Sequence, residues 1–310
     1  MTVTTSPTPP PASSSARQSG VPASRRWQHY RPGRIARRFW RDKVGVASLG
    51  GLLFLVLVAV VSRFWTPYEP TEQNLLARLQ GPSAAHWLGT DSLGRDILSR
   101  LMTATWTALT SAALAVGLAM VGGVLLGLFA GYLEGVLDAV LSRISDLLLS
   151  LPPLLFAVAI VGALGPGLTN AMIAIGVLLL PRFYRLTRAA TMEIKNETFV
   201  EAARASGAGT VSIVRHHVLP NITSPLLVQI SFSAAVAIVS ESGLSFLGLG
   251  AQSPTTSWGS MVDEGFDRLA ESSWSIIPPS VAIVITILLL SLLGDSLRDA
   301  AGRQTSGGRE

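Results

Sequence analysis

Residues 101–133 read LMTATWTALTSAALAVGLAMVGGVLLGLFAGYL, a run that contains no Asp, Glu, Lys or Arg. About 20 apolar residues are enough for a helix to cross the hydrocarbon core of a bilayer. Charge-free windows of comparable length recur at residues 44–62, 147–181, 216–240 and 272–294. Only 14% of the 310 residues are charged, whereas soluble domains average about 25%. The sequence therefore predicts an all-α membrane protein with several transmembrane helices.

The window at residues 147–181 is too long for one ordinary span. Its middle contains Gly165, Pro166 and Gly167, a combination that favours a turn. We therefore predict two spans in this region and six in the whole chain. The six spans are expected near residues 44–62, 104–130, 141–163, 168–187, 225–247 and 277–296.

The distribution of the 24 basic residues supports six spans. With a cytoplasmic N-terminus, six spans place 19 of them inside and 5 outside, whereas a single span at residues 147–181 places 11 inside and 13 outside. Because Lys and Arg are enriched in cytoplasmic loops, we expect six spans with both termini in the cytoplasm.

Two outer segments, at residues 63–103 and 248–276, are long enough to meet a partner or substrate. Plain solvated loops are an equal alternative for both.

The N-terminal part of the chain changes composition twice. Residues 1–24 are rich in Pro, Ser and Thr, and we expect a disordered tail. Residues 25–43 interleave Arg with aromatic residues, which is typical of a helix in the membrane interface, and residues 44–62 are expected to act as a retained signal anchor. Since 9 basic residues precede this first span, the net charge of +5 indicates a patch beside membrane lipid and no nucleic-acid partner. Residues 301–310 are expected to form a cytoplasmic tail.

A polar stretch, TFVEAARASG, interrupts the apolar windows and begins at Thr198. Thr198 and Glu201 have the spacing of a capping box, which predicts a helix beginning near Phe199. Gly207 supplies the backbone freedom that ends such a helix, and a second short helix is expected to follow and to close before Pro220. Two helices of this kind form either a projection on which another protein docks or a simple interfacial hairpin.

The residues present exclude several kinds of catalytic site. The chain has no Cys, so it forms no disulfide or thiolate site. A P-loop needs Gly-Lys followed by Ser or Thr, but Lys43 and Lys195 are the only lysines and neither follows Gly. His216 and His217 are adjacent and point about 100° apart on a helix, which does not suit a shared metal ion. We therefore expect no enzyme activity, metal or cofactor in this chain.

Three carboxylates, Asp146, Glu241 and Asp295, lie within or near the predicted spans. An ionisable group at membrane depth is costly and is a candidate functional residue by default. Glu241 can line a translocation path or brace a gate, although an interfacial carboxylate near the outer end of its span is the plainer interpretation. Arg143 and Asp146 are three residues apart, and we expect them to pair with each other on one helical face.

The polar stretch resembles the cytoplasmic signature loop of permease subunits of bacterial ATP-binding cassette (ABC) importers. His217 stands where the general pattern has an aliphatic residue. The run Arg215-His216-His217-Val218-Leu219-Pro220-Asn221 is nevertheless similar to the peptide-type branch of that family. The residues that carry the likeness are Glu201, Ala202, Ala203, Gly207, Leu219 and Pro220.

Further motifs resemble the C-type dipeptide and oligopeptide permeases of this branch. They occur in the same order, and the likeness covers residues 44–300, which we take as the transmembrane permease domain. The motifs are Leu88-Gly-Thr-Asp91 with Leu93-Gly-Arg-Asp96, Ser245-Phe-Leu-Gly-Leu-Gly250 with Ser257-Trp258-Gly259, and Leu293-Gly294-Asp295 with Leu297-Arg298-Asp299.

The resemblance implies a type I ABC importer permease fold, with six transmembrane helices and a cytoplasmic coupling helix. The implied partners are a homologous permease subunit in a heterodimer, two cytoplasmic P-loop ATPase domains that bind ATP and Mg²⁺, and an extracytoplasmic solute-binding protein. The implied function is import of di- or oligopeptides by alternating access across the bacterial plasma (inner) membrane. The residues assigned to docking on the ATPase are Glu201, Ala202, Ala203 and Gly207, in a loop that closes with Leu219 and Pro220.

Other functions fit the same residues less well. Related permeases serve nickel, glutathione and other small solutes, so these solutes are the alternative to peptides. A secondary transporter or channel without an ATPase is a more distant alternative, because the inverted repeats of many such transporters are not visible in the sequence. A membrane scaffold would require the residues of the spans to be dispensable.

Overall fold

The computed structural model describes residues 32–302, with side chains from residue 36 onward. The predicted disordered tail at residues 1–24, the first part of the interfacial segment and residues 303–310 lie outside the described residues.

Helices and short turns account for the regular structure of residues 32–302. Two 3₁₀ turns, at Leu75–Ala77 and Trp274–Ile276, lie in the outer segments, and a π turn at Val214–Val218 joins two helices. The helices are α1 (Pro32–Phe39), α2 (Lys43–Val61), α3 (Ile97–Leu133), α4 (Gly135–Ser150), α5 (Pro153–Leu164), α6 (Leu168–Ile194), α7 (Thr198–Ala205), α8 (Thr210–Ile213), α9 (Leu219–Phe246), α10 (Trp258–Phe266) and α11 (Ile277–Gly302).

Four helical stretches in the described part of the chain are long and apolar enough to cross a membrane, and α4 with α5 adds a fifth if the bent pair is one span. The four stretches are Lys43–Val61, Ile97–Leu133, Thr210–Phe246 and Trp274–Gly302. The prediction of an all-α protein with several membrane spans is confirmed at this level. The count of six depends on α6, whose second half carries three arginines and lowers its apolar character.

The span predicted as one helix near residues 141–163 is broken in the structure. Helices α4 and α5 meet at an angle of 100°, with Leu151 and Pro152 between them. Leu151 is extended, at φ −81° and ψ 140°, because the ring of the following proline disfavours the helical conformation in the residue before it. The turn predicted around Gly165 and Gly167 is present, and both glycines have positive φ values of 92° and 144°.

The closest helix pair is α3 with α6. Gly123, Gly127 and Gly131 form a stripe with a spacing of four residues on α3, and α6 packs directly on it. A Cβ atom on Gly127 would lie 2.7 Å from the carbonyl oxygen of Tyr184, so the two backbones are in contact. Small residues at such spacing permit close approach where lipid supplies no hydrophobic driving force. This pair forms the centre of the bundle.

The two outer segments are folded against each other, which rules out the alternative of plain solvated loops. The indole Nε1–H of Trp274 donates to the carbonyl of Leu88 at 2.8 Å, and Arg78 pairs with Glu271 at 3.0 Å. Asp96 caps α3, since its carboxylate accepts from the backbone N–H of Ser99 at 2.8 Å. The outer segments therefore form an ordered cap over one end of the bundle.

Candidate functional site

The polar stretch singled out in the sequence forms the exposed helix α7. Val200 is fully buried and anchors the helix to the bundle, while Glu201, Ala202, Arg204 and Ala205 are exposed. The outward surface is therefore mostly methyl groups flanked by one acid and one base. A surface of this kind lets another protein approach the helix closely.

The predicted capping box of Thr198 and Glu201 is wrong. The helix begins one residue earlier than the box requires, so Glu197 is the N-cap and no side chain caps the helix. The backbone N–H of Glu201 donates to the carbonyl of Glu197 at 3.1 Å, which is the first intrahelical bond. Thr198 therefore lies inside the helix, where it cannot act as the cap.

The C-terminus of α7 is a Schellman turn centred on Gly207. The N–H of Gly207 donates to the carbonyl of Arg204, and the N–H of Ala208 donates to that of Ala203, both at 3.0 Å. Gly207 has φ +82°, a left-handed conformation that glycine adopts at little cost. The predicted role of Gly207 as a helix terminator is confirmed, and half-buried Ala203 belongs to the support of the turn rather than to its outer face.

The second helix does not close before Pro220, contrary to the prediction. Helix α8 passes through the π turn into α9, so that Thr210–Phe246 forms one continuous stretch of 37 residues. In the π turn, the N–H of Leu219 reaches back to the carbonyl of Val214. The wider turn lets the helix continue past Pro220, which lacks an N–H. The exposed loop is therefore continuous with a membrane-length helix.

His217, the residue that departs from the general pattern, lies at this junction. Its ring is half-buried, and its centroid is 5.9 Å from the ring centroid of Phe199 on α7. Its carbonyl accepts from the side-chain amide of Asn221 at 2.6 Å. His217 thus links α7 to the start of the long helix. Within residues 32–302, no group of three or more His, Cys, Asp or Glu side chains is arranged to hold a metal ion.

Glu241 lies in a buried polar cluster near the C-terminal end of α9. Only 1% of the residue is exposed, and Oε1 accepts from the hydroxyl of Ser245 at 2.7 Å. The Ser245 hydroxyl in turn accepts from the backbone N–H of Ala251 at 3.0 Å. In the described part of the chain, Oε2 has no hydrogen-bond partner.

The Ser245–Gly250 and Ser257–Gly259 motifs fold around this cluster. Trp258 is completely buried, and a Cβ on Gly259 or Gly250 would collide with α9 at Ser242 or Ser245. The sequence does not indicate that Glu241 and these two motifs lie close together in space. The structure brings them together, because the segment after α9 turns back onto the helix end.

A buried ion-pair cluster, formed by Asp91, Arg95, Arg100 and Glu264, holds the outer cap to α3. Arg100 is only 3% exposed and donates to both carboxylate oxygens of Glu264, at 2.7 and 2.9 Å. Asp91 also pairs with Arg100, and with Nε of Arg95 at 2.7 Å. The sequence does not predict that Glu264 pairs with Arg100. It shows only that the second outer segment is rich in acidic residues.

The predicted ion pair between Arg143 and Asp146 is absent from the structure of the described residues. Arg143 and Asp146 are exposed, and neither forms an ion pair with any described residue, so their predicted pairing is wrong. A solvated pair at this spacing gains only about 0–1 kcal/mol, so the spacing alone does not require the two side chains to pair. On α10, burial together with the nearby Asp267 and Glu264 raises the pKa of Asp263.

Comparison with known proteins agrees with this architecture. Residues 123–307 match the family described as the binding-protein-dependent transport system inner membrane component. Residues 32–82 match the N-terminal transmembrane domain of oligopeptide transport permease C. These two regions cover the first span and the chain from the middle of α3 to residue 307, including α7 and the Glu241 cluster.

Two relatives align with most of the chain. The glutathione transport system permease protein GsiD of Salmonella typhimurium is 42% identical over 272 residues, which are 87% of this chain and 90% of the relative. The di/tripeptide transport system permease protein DppC of Pseudomonas aeruginosa is 42% identical over 274 residues, 85% of this chain and 90% of the relative.

Solved structures of the MetNI methionine ABC transporter, in inward-facing conformations, share the fold. One superposes with a TM-score of 0.53 at 21% identity, covering 64% of this chain and 95% of that chain. The described helices define a multi-pass helical membrane protein, and the matched families make it a transport permease. The chain belongs to the ABC importer permeases of the inner membrane, in the C-type peptide branch.

Proposed function

We propose that this chain is one subunit of an ATP-driven importer of di- or oligopeptides that works by alternating access. A homologous permease completes the translocation path, and a solute-binding protein delivers the cargo from outside. Two cytoplasmic ATPase domains bind ATP and Mg²⁺ and carry out hydrolysis, for which this chain has no P-loop. The names of the two relatives support a short-peptide substrate, since glutathione is itself a tripeptide.

The observation that carries the proposal is the connection between α7 and the membrane. Helix α7, whose exposed face carries Glu201 and Ala202, ends at the hydrogen-bonded turn of Gly207. The continuous stretch Thr210–Phe246 begins three residues later. A partner that moves α7 therefore moves a membrane helix as well. This is the mechanical property that a coupling helix needs.

The proposed topology has six spans. The bent pair of α4 and α5 counts as one, and α6 counts as the sixth although its second half is basic. This arrangement puts α7, the C-terminal end of α11 and the N-terminus on the cytoplasmic side, where Lys and Arg are favoured. The folded cap of the two outer segments then faces the binding protein.

Glu241 is proposed to brace the outer end of α9 rather than to line the path. Its carboxylate is enclosed by the segment from Ser245 to Trp258, and it holds this segment through the hydroxyl of Ser245. A carboxylate enclosed in this way meets no substrate within its own subunit. Its contribution is to keep the cap attached while the helices move.

Reversing the charge of Glu201 tests the coupling role. The complex is purified with its ATPase subunits, and uptake of a labelled dipeptide into proteoliposomes is measured together with ATP hydrolysis. We expect Glu201→Arg to reduce uptake and transport-stimulated hydrolysis by about tenfold or more, because it puts a longer side chain of opposite charge on the proposed docking face. Glu193→Arg is the matched control, since Glu193 is also an exposed glutamate close to the end of α6. Unchanged uptake in Glu201→Arg contradicts the proposal.

A further inference from the structure

A solvent-open cavity of about 340 Å³ lies where the two outer segments meet the adjoining ends of α2 and α3. It is lined by the end of α2, the first outer segment, the first turns of α3 and the beginning of the second outer segment. Its size falls at the lower end of the range of about 300–1,000 Å³ that small-molecule sites occupy. Neither the sequence motifs nor the coupling role accounts for it.

Two opposite charges line this cavity, on Arg63 and Glu69. They do not pair with each other, and neither forms an ion pair with another residue in the part of the chain that the structure describes. Elsewhere in the outer cap, Arg78, Arg95 and Arg100 all have carboxylate partners. Arg63 and Glu69 are therefore available, one for an anionic group and the other for a cationic group.

The cavity wall also offers hydrogen-bond acceptors. The hydroxyl of Thr71 donates to Glu69 at 3.1 Å, and the hydroxyl of Thr103 donates to the carbonyl of Arg100 at 2.9 Å. The hydroxyl of Thr107 donates to the carbonyl of Thr103. Because the hydrogens of these hydroxyls are committed, their lone pairs remain to accept hydrogen bonds. Such a wall suits a ligand rich in N–H donors.

Arg63 is held in position by an aromatic ring. Its guanidinium carbon lies 5.6 Å from the ring centroid of Trp106, which also lines the cavity. A cation over an aromatic face is attracted by the ring and keeps its N–H groups free for a planar anion. The carboxylate of a ligand is such an anion.

We propose that this cavity binds the two charged ends of a short peptide, the carboxylate at Arg63 and the ammonium group at Glu69. The hydroxyls of Thr71, Thr103 and Thr107 accept from the ammonium and amide N–H groups, and Trp106 contacts the aliphatic part. The proposal deepens the proposed function, on which it rests, by placing a peptide site on the outer side of the permease itself. With this site the permease subunit itself binds the peptide, in addition to the binding protein.

The test measures binding of L-alanyl-L-alanine to the purified full complex in nanodiscs, without ATP and without binding protein. Two analogues each lack one charge: N-acetyl-Ala-Ala has no ammonium group, and Ala-Ala-amide has no carboxylate. We expect Arg63→Gln to weaken binding of Ala-Ala by about tenfold or more, but to leave binding of Ala-Ala-amide nearly unchanged. Glu69→Gln is expected to show the converse pattern, with N-acetyl-Ala-Ala insensitive to the change.

Two exposed residues of the same outer segment provide matched controls. Glu72→Gln and Arg78→Gln remove the same charges outside the cavity, and both should bind Ala-Ala within about twofold of the parent complex. Losses that do not depend on which charge the analogue lacks contradict the proposal, as does a parent complex that binds no Ala-Ala.

Uptake measurements separate this inference from the proposed function. If the parent complex takes up dipeptides but shows no binding of Ala-Ala in the absence of binding protein, the cavity site is wrong and the import function stands. If Ala-Ala binds with the expected analogue pattern but no dipeptide is transported, the site stands and the proposed import function is wrong.

Discussion

Arg100, in the first turn of α3, and Glu264, on α10, form a two-pronged ion pair that joins these two helices. The Nη1–Oε2 and Nη2–Oε1 distances are 2.7 and 2.9 Å. This pair ties the cap to the helix that packs most closely on α6. It joins two parts of the chain that the sequence presents as unrelated.

Breaking this pair from the α10 side is expected to destabilise the protein. Glu264→Gln leaves the buried guanidinium of Arg100 with Asp91 as its remaining acidic partner. Removing one partner of a fully buried pair costs about 3–5 kcal/mol, and since Glu264 is 36% exposed we expect about 1–3 kcal/mol. Thermal unfolding of the purified complex measures the change. Glu271→Gln, which breaks an exposed pair with Arg78, should stay within about 0.5 kcal/mol.

The contact between α3 and α6 predicts a difference between two glycines of the same helix. Gly127→Ala places a Cβ 2.7 Å from the Tyr184 carbonyl oxygen, and we expect a loss of about 1–3 kcal/mol from overpacking. Gly117→Ala is the control, because no atom lies within 4 Å of its added Cβ. That change should be neutral or stabilise α3 slightly. Equal effects of the two substitutions on the unfolding temperature would show that the helices are not in backbone contact.

The turn after α7 predicts a similar difference between Gly207 and Gly209. Gly207→Ser forces a left-handed conformation on a residue with a Cβ, at a cost of about 1 kcal/mol. Gly209→Ser lies at φ −70°, where serine is a preferred N-cap, and should have little effect. Hydrogen exchange measures the difference: the backbone amides at positions 207 and 208 should exchange about fivefold faster only when residue 207 is changed. Equal exchange rates in the two variants would be incompatible with a Schellman turn.

The raised pKa of Asp263 predicts a pH-dependent stability. Burial and the neighbouring carboxylates make the folded protein hold this proton more tightly than the unfolded chain does. The group therefore lowers stability above its folded pKa, and this penalty fades as the pH falls through that value towards the ordinary value of 3.8. Asp263→Asn should unfold at a higher temperature than the parent at pH 7, and the difference should shrink as the pH falls and vanish at about pH 3, below the ordinary value of 3.8. A difference of the same size at pH 7 and at about pH 3, or a stabilisation by the exposed control Glu72→Gln, would argue against this origin.

The sequence predicts most of the long helices well because α2, α3, α9 and α11 each contain a charge-free run of membrane length, whereas the second half of α6 carries three arginines. It misses the bend between α4 and α5, since hydropathy windows do not register that Pro152 forces Leu151 out of the helix. It misses the continuation through Pro220 for a related reason. A proline usually ends a helix, and the π turn that accommodates it here has no sequence signature.

For the candidate sites, too, the sequence predicts local features better than tertiary contacts. The turn at Gly207 is readable from local sequence, because one residue type meets one backbone requirement. The capping box at Thr198 is also a local pattern, but this prediction is wrong. Thr198 is the first residue of the helix, and Glu197 occupies the N-cap position. The pairing of Arg100 with Glu264 and the enclosure of Glu241 depend on tertiary structure, which spacing along the chain does not reveal.

Cross-linking from α7 tests the central claim, that this helix docks on a separate ATPase, most directly. The chain has no Cys, so Ala202→Cys provides a single attachment point for a thiol-reactive photo-cross-linker on the exposed face of the helix. Glu72→Cys, in the first outer segment, is the control. The account predicts a covalent product between this chain and the ATPase subunit from position 202 and none from position 72. Absence of that product from position 202 in a complex that still transports, or the same product from both positions, would contradict it.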